Sequence, residues 1–196
     1  MSAVLAQAPN AKFDDWSERF AAEWVRLAPG TATITQYFSG IEQAALDREL
    51  EPPTAAQRAK RLALAQRGLE ELAAFQSAAL SPTQRISAAI MRSQLANSVG
   101  NAPYVPHTFV FRQFSGLHTD LVDLLSERHP LRAKEDFDTY LARLALVAAR
   151  IDEGIVEARK AAAEGLVPPR YILDRVQAQV DIFLGGKTED NVLART

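Results

Sequence analysis

The amino-acid sequence predicts an all-α protein, a multi-helix bundle of about six helices with one long helix over about residues 133–164. Three observations support this class. Apolar residues recur at spacings of three and four, as they do on one face of a helix. Gly and Pro separate these periodic segments where helices would start or stop. No two alternating segments are joined by a hairpin turn, so no sheet is expected.

The first helix is predicted from about Ala11 to Leu27, and Pro29-Gly30 is expected to end it. One face of this helix carries large apolar side chains at helical spacing: Phe13, Trp16, Phe20, Trp24 and Leu27. We interpret this face as part of the core. Residues 31–53 are less clear, because Thr31, Thr33, Ile34 and Thr35 favour a strand, while a short helix through Tyr37 is equally open. Gly40 is expected to break either element.

The next two helices are predicted from their start signals. Thr54 should cap a helix that reaches about Ala79, with an apolar face of Leu62, Ala65, Leu69, Leu72 and Phe75. Its basic residues are expected to be solvated: Arg58, Lys60, Arg61 and Arg67. The segment Ser81-Pro82-Thr83-Gln84 predicts a capping box at the start of the following helix. That helix should bury Ile86, Ile90 and Leu95 and end near Gly100.

The second half of the chain predicts three more helices. Asn101 to Phe111 should be extended, because Pro103 and Pro106 disfavour helix. A helix from Gly116 to about Arg128 should then bury Leu117, Leu121, Leu124 and Leu125 and end at His129-Pro130. The long helix, ~45 Å at the usual rise, should bury Phe137, Tyr140, Leu141, Leu144, Val147, Ile151 and Ile155 and stop at Gly165. The last should run from Pro168-Pro169 to Gly185-Gly186, burying Ile172, Val176, Val180, Phe183 and Leu184.

The termini and the composition limit the class of protein. Residues 1–10 are expected to be a flexible start or a signal-peptide remnant, since Ala6-Gln7-Ala8 has a small-x-small pattern; a periplasmic or secreted location is favoured over the cytoplasm. Residues 11–196 are predicted to form a single helical domain, the amino-terminal part of a longer protein. The net charge of −2 argues against nucleic-acid binding. No apolar run approaches the roughly 20 residues of a membrane span, and the lack of cysteine excludes thiolate chemistry.

No catalytic residue and no metal ligand is predicted from the residues themselves. His118 and His129 stand eleven residues apart, which on a helix is ~16 Å, too far for one zinc ion. Asp120 and Asp123 are interpreted as favourable charges near a helix start rather than as an acid/base pair. The candidate substrate-binding residues surround one proline-containing segment: Tyr104, His107, Arg112, Gln113 and His118. The alternative is that these side chains satisfy nearby backbone carbonyls.

In their order, these features resemble the bacterial domain-of-unknown-function family 885. The resemblance covers about Phe13 to Leu193, and besides the aromatic first helix it rests on Leu80-Ser81-Pro82, Gln113-Phe114-Ser115-Gly116, His129-Pro130, Phe137-Asp138-Thr139-Tyr140-Leu141 and the Gly165 to Pro169 turn. Members of the family resemble helical zinc metallopeptidases of the gluzincin type. Their His-Glu-x-x-Pro-Gly-His pattern is absent here, so zinc is expected only in a full-length homologue.

The resemblance implies a non-catalytic amino-terminal part that forms one wall of a substrate channel. Gln113 and His118 would then donate hydrogen bonds to a peptide backbone, and the expected partners are a peptide substrate together with a carboxy-terminal catalytic half. Self-association through an exposed apolar face is also expected. Two alternatives stay open. One is a free-standing helical protein-interaction module without enzymatic activity, and the other is a short chain that complements a separately encoded catalytic chain.

Overall fold

A computed structural model of the chain describes residues 8–196, and within that range it contains α-helices and no strand. The helices are α1 Ala11–Arg26, α2 Pro29–Thr35, α3 Gly40–Leu46, α4 Ala55–Ala73, α5 Pro82–Asn101, α6 Leu117–Asp123, α7 Lys134–Leu144, α8 Val147–Ala163, α9 Arg170–Leu184 and α10 Val192–Arg195. Short 3₁₀ turns occur at Ser77–Ala79, Ala102–His107 and Thr188–Asp190, and a π-helical turn, Leu124–Arg128, continues α6. The all-α prediction is confirmed. Among the described helices, none is long and apolar enough to cross a membrane.

The described chain divides into two compact units. The first unit contains the chain up to Leu27 together with Arg58–Val105, and the second contains Ala28–Gln57 together with Pro106–Thr196. This division concerns packing rather than independent folding, so a single domain over residues 11–196 stays a prediction. Most of the predicted flexible start or signal-peptide remnant, residues 1–7, lies outside the described residues.

The core of the first unit is built around the aromatic face of α1, as predicted. Phe13, Trp16 and Phe20 are buried, and Trp16 stacks on Phe20 with ring centroids 5.5 Å apart. Phe75 meets Phe13 edge-on at 5.4 Å. The indole Nε1 of Trp16 donates to Glu71 Oε2 at 2.7 Å, which satisfies the polar atom of an otherwise apolar side chain. The remaining buried members of this core are Leu64, Ala65, Leu72, Leu80, Ala88 and Leu95.

Three predictions for the first unit are wrong in detail. Helix α4 ends at Ala73 rather than Ala79. Helix α5 buries Gln84, Ala88 and Leu95, whereas Ile86 and Ile90 are 63% and 53% exposed. The periodicity of large apolar residues did not predict this buried face, because the small Ala88 and the hydrogen-bonded Gln84 form much of it. The segment predicted as extended contains the 3₁₀ turn Ala102–His107, whose φ values proline readily adopts.

In the second unit, residues 31–53 resolve into two short helices. The helical alternative is the correct one, since Pro29 occupies the first turn of α2 with a φ already suited to helix. Pro29 therefore starts a helix, while α1 has already ended at Arg26. Gly40 has a φ of +59° and begins α3 instead of ending an element.

The predicted long helix is two helices, α7 and α8, separated by Ala145 and Leu146. The backbone N–H of Leu146 donates to the Arg143 carbonyl at 3.0 Å, a tightened bond of the kind that ends a helix. The predicted buried face of α7 is also wrong in part, although Tyr140 is buried as predicted. Phe137 and Leu141 are 50% and 46% exposed, and the buried residues of α7 are Thr139, Tyr140 and Arg143.

The helix ends that bound the remaining segments follow the prediction. The helix from Gly116 ends before His129-Pro130, although its last turn is π-helical and the His129 N–H bonds the Leu124 carbonyl at 2.8 Å. Gly165, with a φ of +83°, ends α8, and α9 starts directly after Pro169. These turns place α6, α8, α9 and α10 around one groove.

Candidate binding groove

Four helices of the second unit border an apolar groove of about 750 Å³. Helix α8 contributes residues spaced by four along one face, and α9 contributes a similar face. The apolar lining consists of Phe111, Leu121, Val122, Val147, Ile151, Ile155, Val176, Val180, Phe183, Leu184 and Leu193. Most of the stripe predicted for the last helix therefore borders open space rather than filling a core.

The loose packing of α9 is the clearest sign that the groove is more than a packing defect. No residue of this 15-residue helix is buried. Protein interiors have few voids larger than a water molecule, whereas ligand sites typically enclose roughly 300–1,000 Å³ and are mostly apolar. The groove matches the second description in both size and lining.

One end of the groove is held by a hydrogen-bonded pair of side chains. Gln179 Nε2 donates to the backbone carbonyl of Gln113 at 2.7 Å. This bond fixes the orientation of the amide, so its Oε1 faces His118 Nε2 at 3.1 Å and accepts a hydrogen bond from it. The His118 ring also lies 5.9 Å from the Phe111 ring. His118 Nδ1 is buried and has no hydrogen-bond partner among the described residues.

Near Phe183 and Leu193, the carboxyl-terminal helix α10 is bonded to α7 and to the end of α9. The Tyr140 hydroxyl donates to the Leu193 carbonyl at 2.7 Å, and burial raises the pKa of Tyr140. The side-chain amide of Asn191 donates to the Phe183 carbonyl at 2.9 Å. These bonds hold α10 against the end of α9, where Phe183 and Leu193 both line the groove.

Of the five predicted binding residues, the structure brings two together. Gln113 and His118 meet through Gln179, as described above. Arg112 is exposed and its guanidinium donates to Ser115 Oγ at 3.1 Å. His107 is exposed, and Tyr104 belongs to the first unit. Substrate binding by these five residues stays a prediction.

Gln179, which connects the two predicted residues, is not among the residues that the sequence predicts for the site. It lies beside the apolar stripe of α9, three positions after Val176 and next to Val180. A polar residue at such a position is common on helices, and its partners are 61 and 66 residues away along the chain. No local pattern could therefore have identified it.

The charged residues that line the groove are both acidic: Asp123 and Glu127. Asp123 Oδ2 pairs with Arg128 Nε at 3.3 Å, while the described residues provide no ion pair for Glu127. Asp120 lies one turn before Asp123, and burial raises its pKa although the Arg112 charge opposes that shift. The groove lining therefore contains two carboxylates, and Arg128 neutralises one of them.

Within the described residues there is no group of three or more metal-binding side chains. A comparison with protein-family models matches residues 34–195 to a bacterial family of proteins of unknown function. The chain belongs to the DUF885 family. No curated protein and no solved structure matches it. Because the DUF885 match spans every residue that lines the groove, the groove lies within the family region.

Proposed function

We propose that this chain is a non-catalytic, substrate-positioning part of a zinc metallopeptidase-like DUF885 protein, with the groove as one wall of its substrate channel. The groove is the observation that carries the proposal. It is the right size for a ligand, it is apolar, and a hydrogen-bonded pair holds one end. Zinc and the catalytic groups would come from the carboxy-terminal part that the family resemblance implies.

The energetics favour positioning by apolar contact. Burial of an aliphatic side chain stabilises a complex by about 1.5–3 kcal/mol before the costs of association are counted. The valine and isoleucine faces of α8 and α9 offer such contacts along the groove. Gln113 and His118 support them indirectly in this proposal, because both already bond Gln179 and thereby fix α9 against α6 and the segment before it.

The experiment mixes the chain with the separately produced catalytic part of a full-length DUF885 homologue and follows hydrolysis of a peptide carrying aliphatic side chains. Val180→Trp should fill the groove and raise KM at least several-fold with little change in kcat, since uniform binding is lost. Ala178→Trp provides the matched control, because Ala178 lies on the exposed side of the same helix. Equal KM values for the two variants would contradict the proposal.

The free-standing interaction module remains the second candidate, and one observation favours it. Ile86 and Ile90 are exposed one turn apart on α5, which leaves an apolar strip on the first unit. If this strip binds a different partner protein, the chain alone should be monomeric. Self-association through the strip would instead make the chain sediment as an oligomer at micromolar concentration, as expected of a part that lacks its catalytic half. Ile86→Lys with Ile90→Lys should then give a monomer. A monomeric wild-type chain would argue against self-association by this face.

A further inference from the structure

We propose that the groove binds the hydrocarbon chain of a cationic amphiphile, a ligand with an unbranched alkyl portion and a protonated amine. The inference goes beyond the proposed function. It concerns what the chain itself binds, and it holds whether or not a catalytic part acts beside it.

The two polar side chains that bond each other in the groove lining, His118 and Gln179, already have specific partners. Gln179 uses its Nε2 on the Gln113 carbonyl and its Oε1 on His118. His118 uses Nε2 on that amide, and its other ring nitrogen is buried rather than open to the groove. A ligand that takes over one of these bonds would have to break this arrangement.

The hydroxyl groups in the lining are likewise engaged. Thr119 Oγ1 donates to the Gly116 carbonyl at 2.9 Å and accepts from the Gly116 N–H at 3.0 Å. Ser126 Oγ donates to the Val122 carbonyl at 2.9 Å. Polar groups of a ligand buried among these side chains would need other partners, so the lining favours apolar groups, including the aliphatic side chains of the proposed substrate. A hydrocarbon chain has no such groups to satisfy.

The shape of the walls suits a chain rather than a compact ring system. The α8 wall runs from Val147 through Ile151 to Ile155, eight residues or ~12 Å of helix. Facing side chains of α9 run from Val176 to Phe183. A decyl chain laid between these walls would contact aliphatic side chains along its whole length.

The charge at the edge selects the head group. Asp123 and Glu127 line the groove, and among the described residues no Lys or Arg does, although Arg128 pairs with Asp123 just outside it. Glu127 is therefore the stronger attractor for a protonated amine. A carboxylate head at the same place would be repelled. The charge pattern distinguishes an alkylamine from a fatty acid, which the apolar lining alone does not.

The test is calorimetric titration of the full chain with decylamine, decanol and decanoate, each kept below the concentration at which it self-associates. Decylamine should bind about fivefold more tightly than decanol and more tightly still than decanoate at low salt. This preference should shrink at 1 M salt. Equal affinities for the three ligands, or tighter binding of decanoate, would overturn the proposal.

Two variants locate the site. Val180→Trp should reduce binding of all three ligands by at least tenfold, with Ala178→Trp as the unchanged control. Glu127→Gln should narrow the difference between decylamine and decanoate while leaving decanol unaffected. If Val180→Trp does not fold, the Glu127→Gln variant still tests the proposal. An unchanged preference for decylamine over decanoate in this variant would contradict it. The two proposals can fail separately. If decylamine binds as expected but Val180→Trp does not change peptide hydrolysis, the proposed channel wall is contradicted and the alkylamine site is not.

Discussion

The Nη1 atom of Arg143 lies 3.1 Å from Nδ1 of His129, and both side chains are buried in the second unit. Arginine can only donate, so Nδ1 must accept. The other ring nitrogen, Nε2, lies 3.1 Å from the Asp136 carbonyl, which can only accept, so Nε2 carries the hydrogen. The surroundings therefore specify one neutral tautomer of His129.

This geometry predicts that acid weakens the second unit. Burial lowers the pKa of His129 from its ordinary value of 6.5. Among the charges that face the ring, Arg143 lowers this pKa further, whereas Asp47 and Asp136 oppose the shift. Because the unfolded chain takes up the proton first, the stabilisation is complete above about pH 6.5 and is lost as the pH falls through the lower folded pKa. Urea unfolding at pH 7.5 and 5.5 should show a lower free energy of unfolding at pH 5.5.

His129→Gln is the control, since glutamine does not titrate. Its free energy of unfolding should vary less than that of the wild type between these pH values, even if it is lower throughout. Asp120 cannot cause the same loss of stability at low pH. Its raised pKa makes the folded state bind more protons, so its contribution to stability grows on acidification. A wild-type chain that is equally or more stable at pH 5.5 would refute the prediction.

Arg143 should be one of the most sensitive positions in the chain. Its Nε donates to the Glu49 carbonyl at 2.9 Å, and its Nη2 donates to the Leu46 carbonyl and to Thr33 Oγ1, each at 2.8 Å. Burial lowers its pKa to about 10, so the side chain stays charged at neutral pH. Arg143→Met should lower the free energy of unfolding by about 3–5 kcal/mol, because a buried charge network loses its cation.

The negative side of this network explains the size of the effect. Asp47 is buried and accepts from Thr33 Oγ1 at 2.5 Å and from Gln43 Nε2 at 3.0 Å. Arg143→Lys retains the charge but not the planar fork, so it should lose less stability than Arg143→Met. Urea unfolding at pH 7.5 measures both. A loss below about 1 kcal/mol in Arg143→Met would show that the network is not coupled to folding.

The contrast between α1 and α7 shows what the sequence could predict. Helix α1 has one face of aromatic residues, and its periodicity alone located the core of the first unit. On α7 the same apolar periodicity selected Phe137 and Leu141, which are exposed, and gave no reason to expect Arg143 to be buried. Arginine is buried there only because residues 33, 46, 49 and 129 supply acceptors. Those partners are 14 to 110 residues away, and no local pattern encodes them.

The candidate site shows the same limit. Sequence analysis placed Gln113 and His118 near a helix start, and the structure brings them together. The groove could not be predicted from the sequence, because it is the space between helices whose relative positions depend on long-range packing. The apolar stripe of α9 looks identical in sequence whether it meets a core or borders open space.

The capping box at α5 should matter more than its local bonds suggest. Gln84 Oε1 accepts from the backbone N–H groups of Ser81 at 3.0 Å and of Asn10 at 2.9 Å. Its Nε2 donates to the Asn10 carbonyl at 3.1 Å and to Asp14 Oδ1 at 2.7 Å. One buried amide therefore joins the starts of α1 and α5. Gln84→Ala should cost about 2–3 kcal/mol, because several buried groups lose their partner.

Two neighbours separate this effect from ordinary capping. Ser81→Ala removes the N-cap alone and should cost about 1 kcal/mol. Thr83→Ala, at an exposed position of the same turn, should change stability by less than about 0.5 kcal/mol. Thermal unfolding of the three variants gives the ranking. If Gln84→Ala costs no more than Ser81→Ala, the bonds to Asn10 and Asp14 contribute nothing to stability.

Gly68 should resist substitution even though it lies inside α4, where alanine is the better helix former. A Cβ at this position would lie 2.4 Å from Phe20 Cε2 and 3.1 Å from Leu95 Cδ1. Phe20 is buried and packed between other aromatic rings, so it cannot move aside freely. Gly68→Ala should therefore lower the free energy of unfolding by about 1–3 kcal/mol, the usual cost of overpacking.

Gly100→Ala is the matched control in α5, because its Cβ would meet nothing within 4 Å, and it should be neutral or stabilising. Urea unfolding of both variants decides: two variants of equal or higher stability than the wild type would mean that the close approach of α1 to α4 at Gly68 is not required.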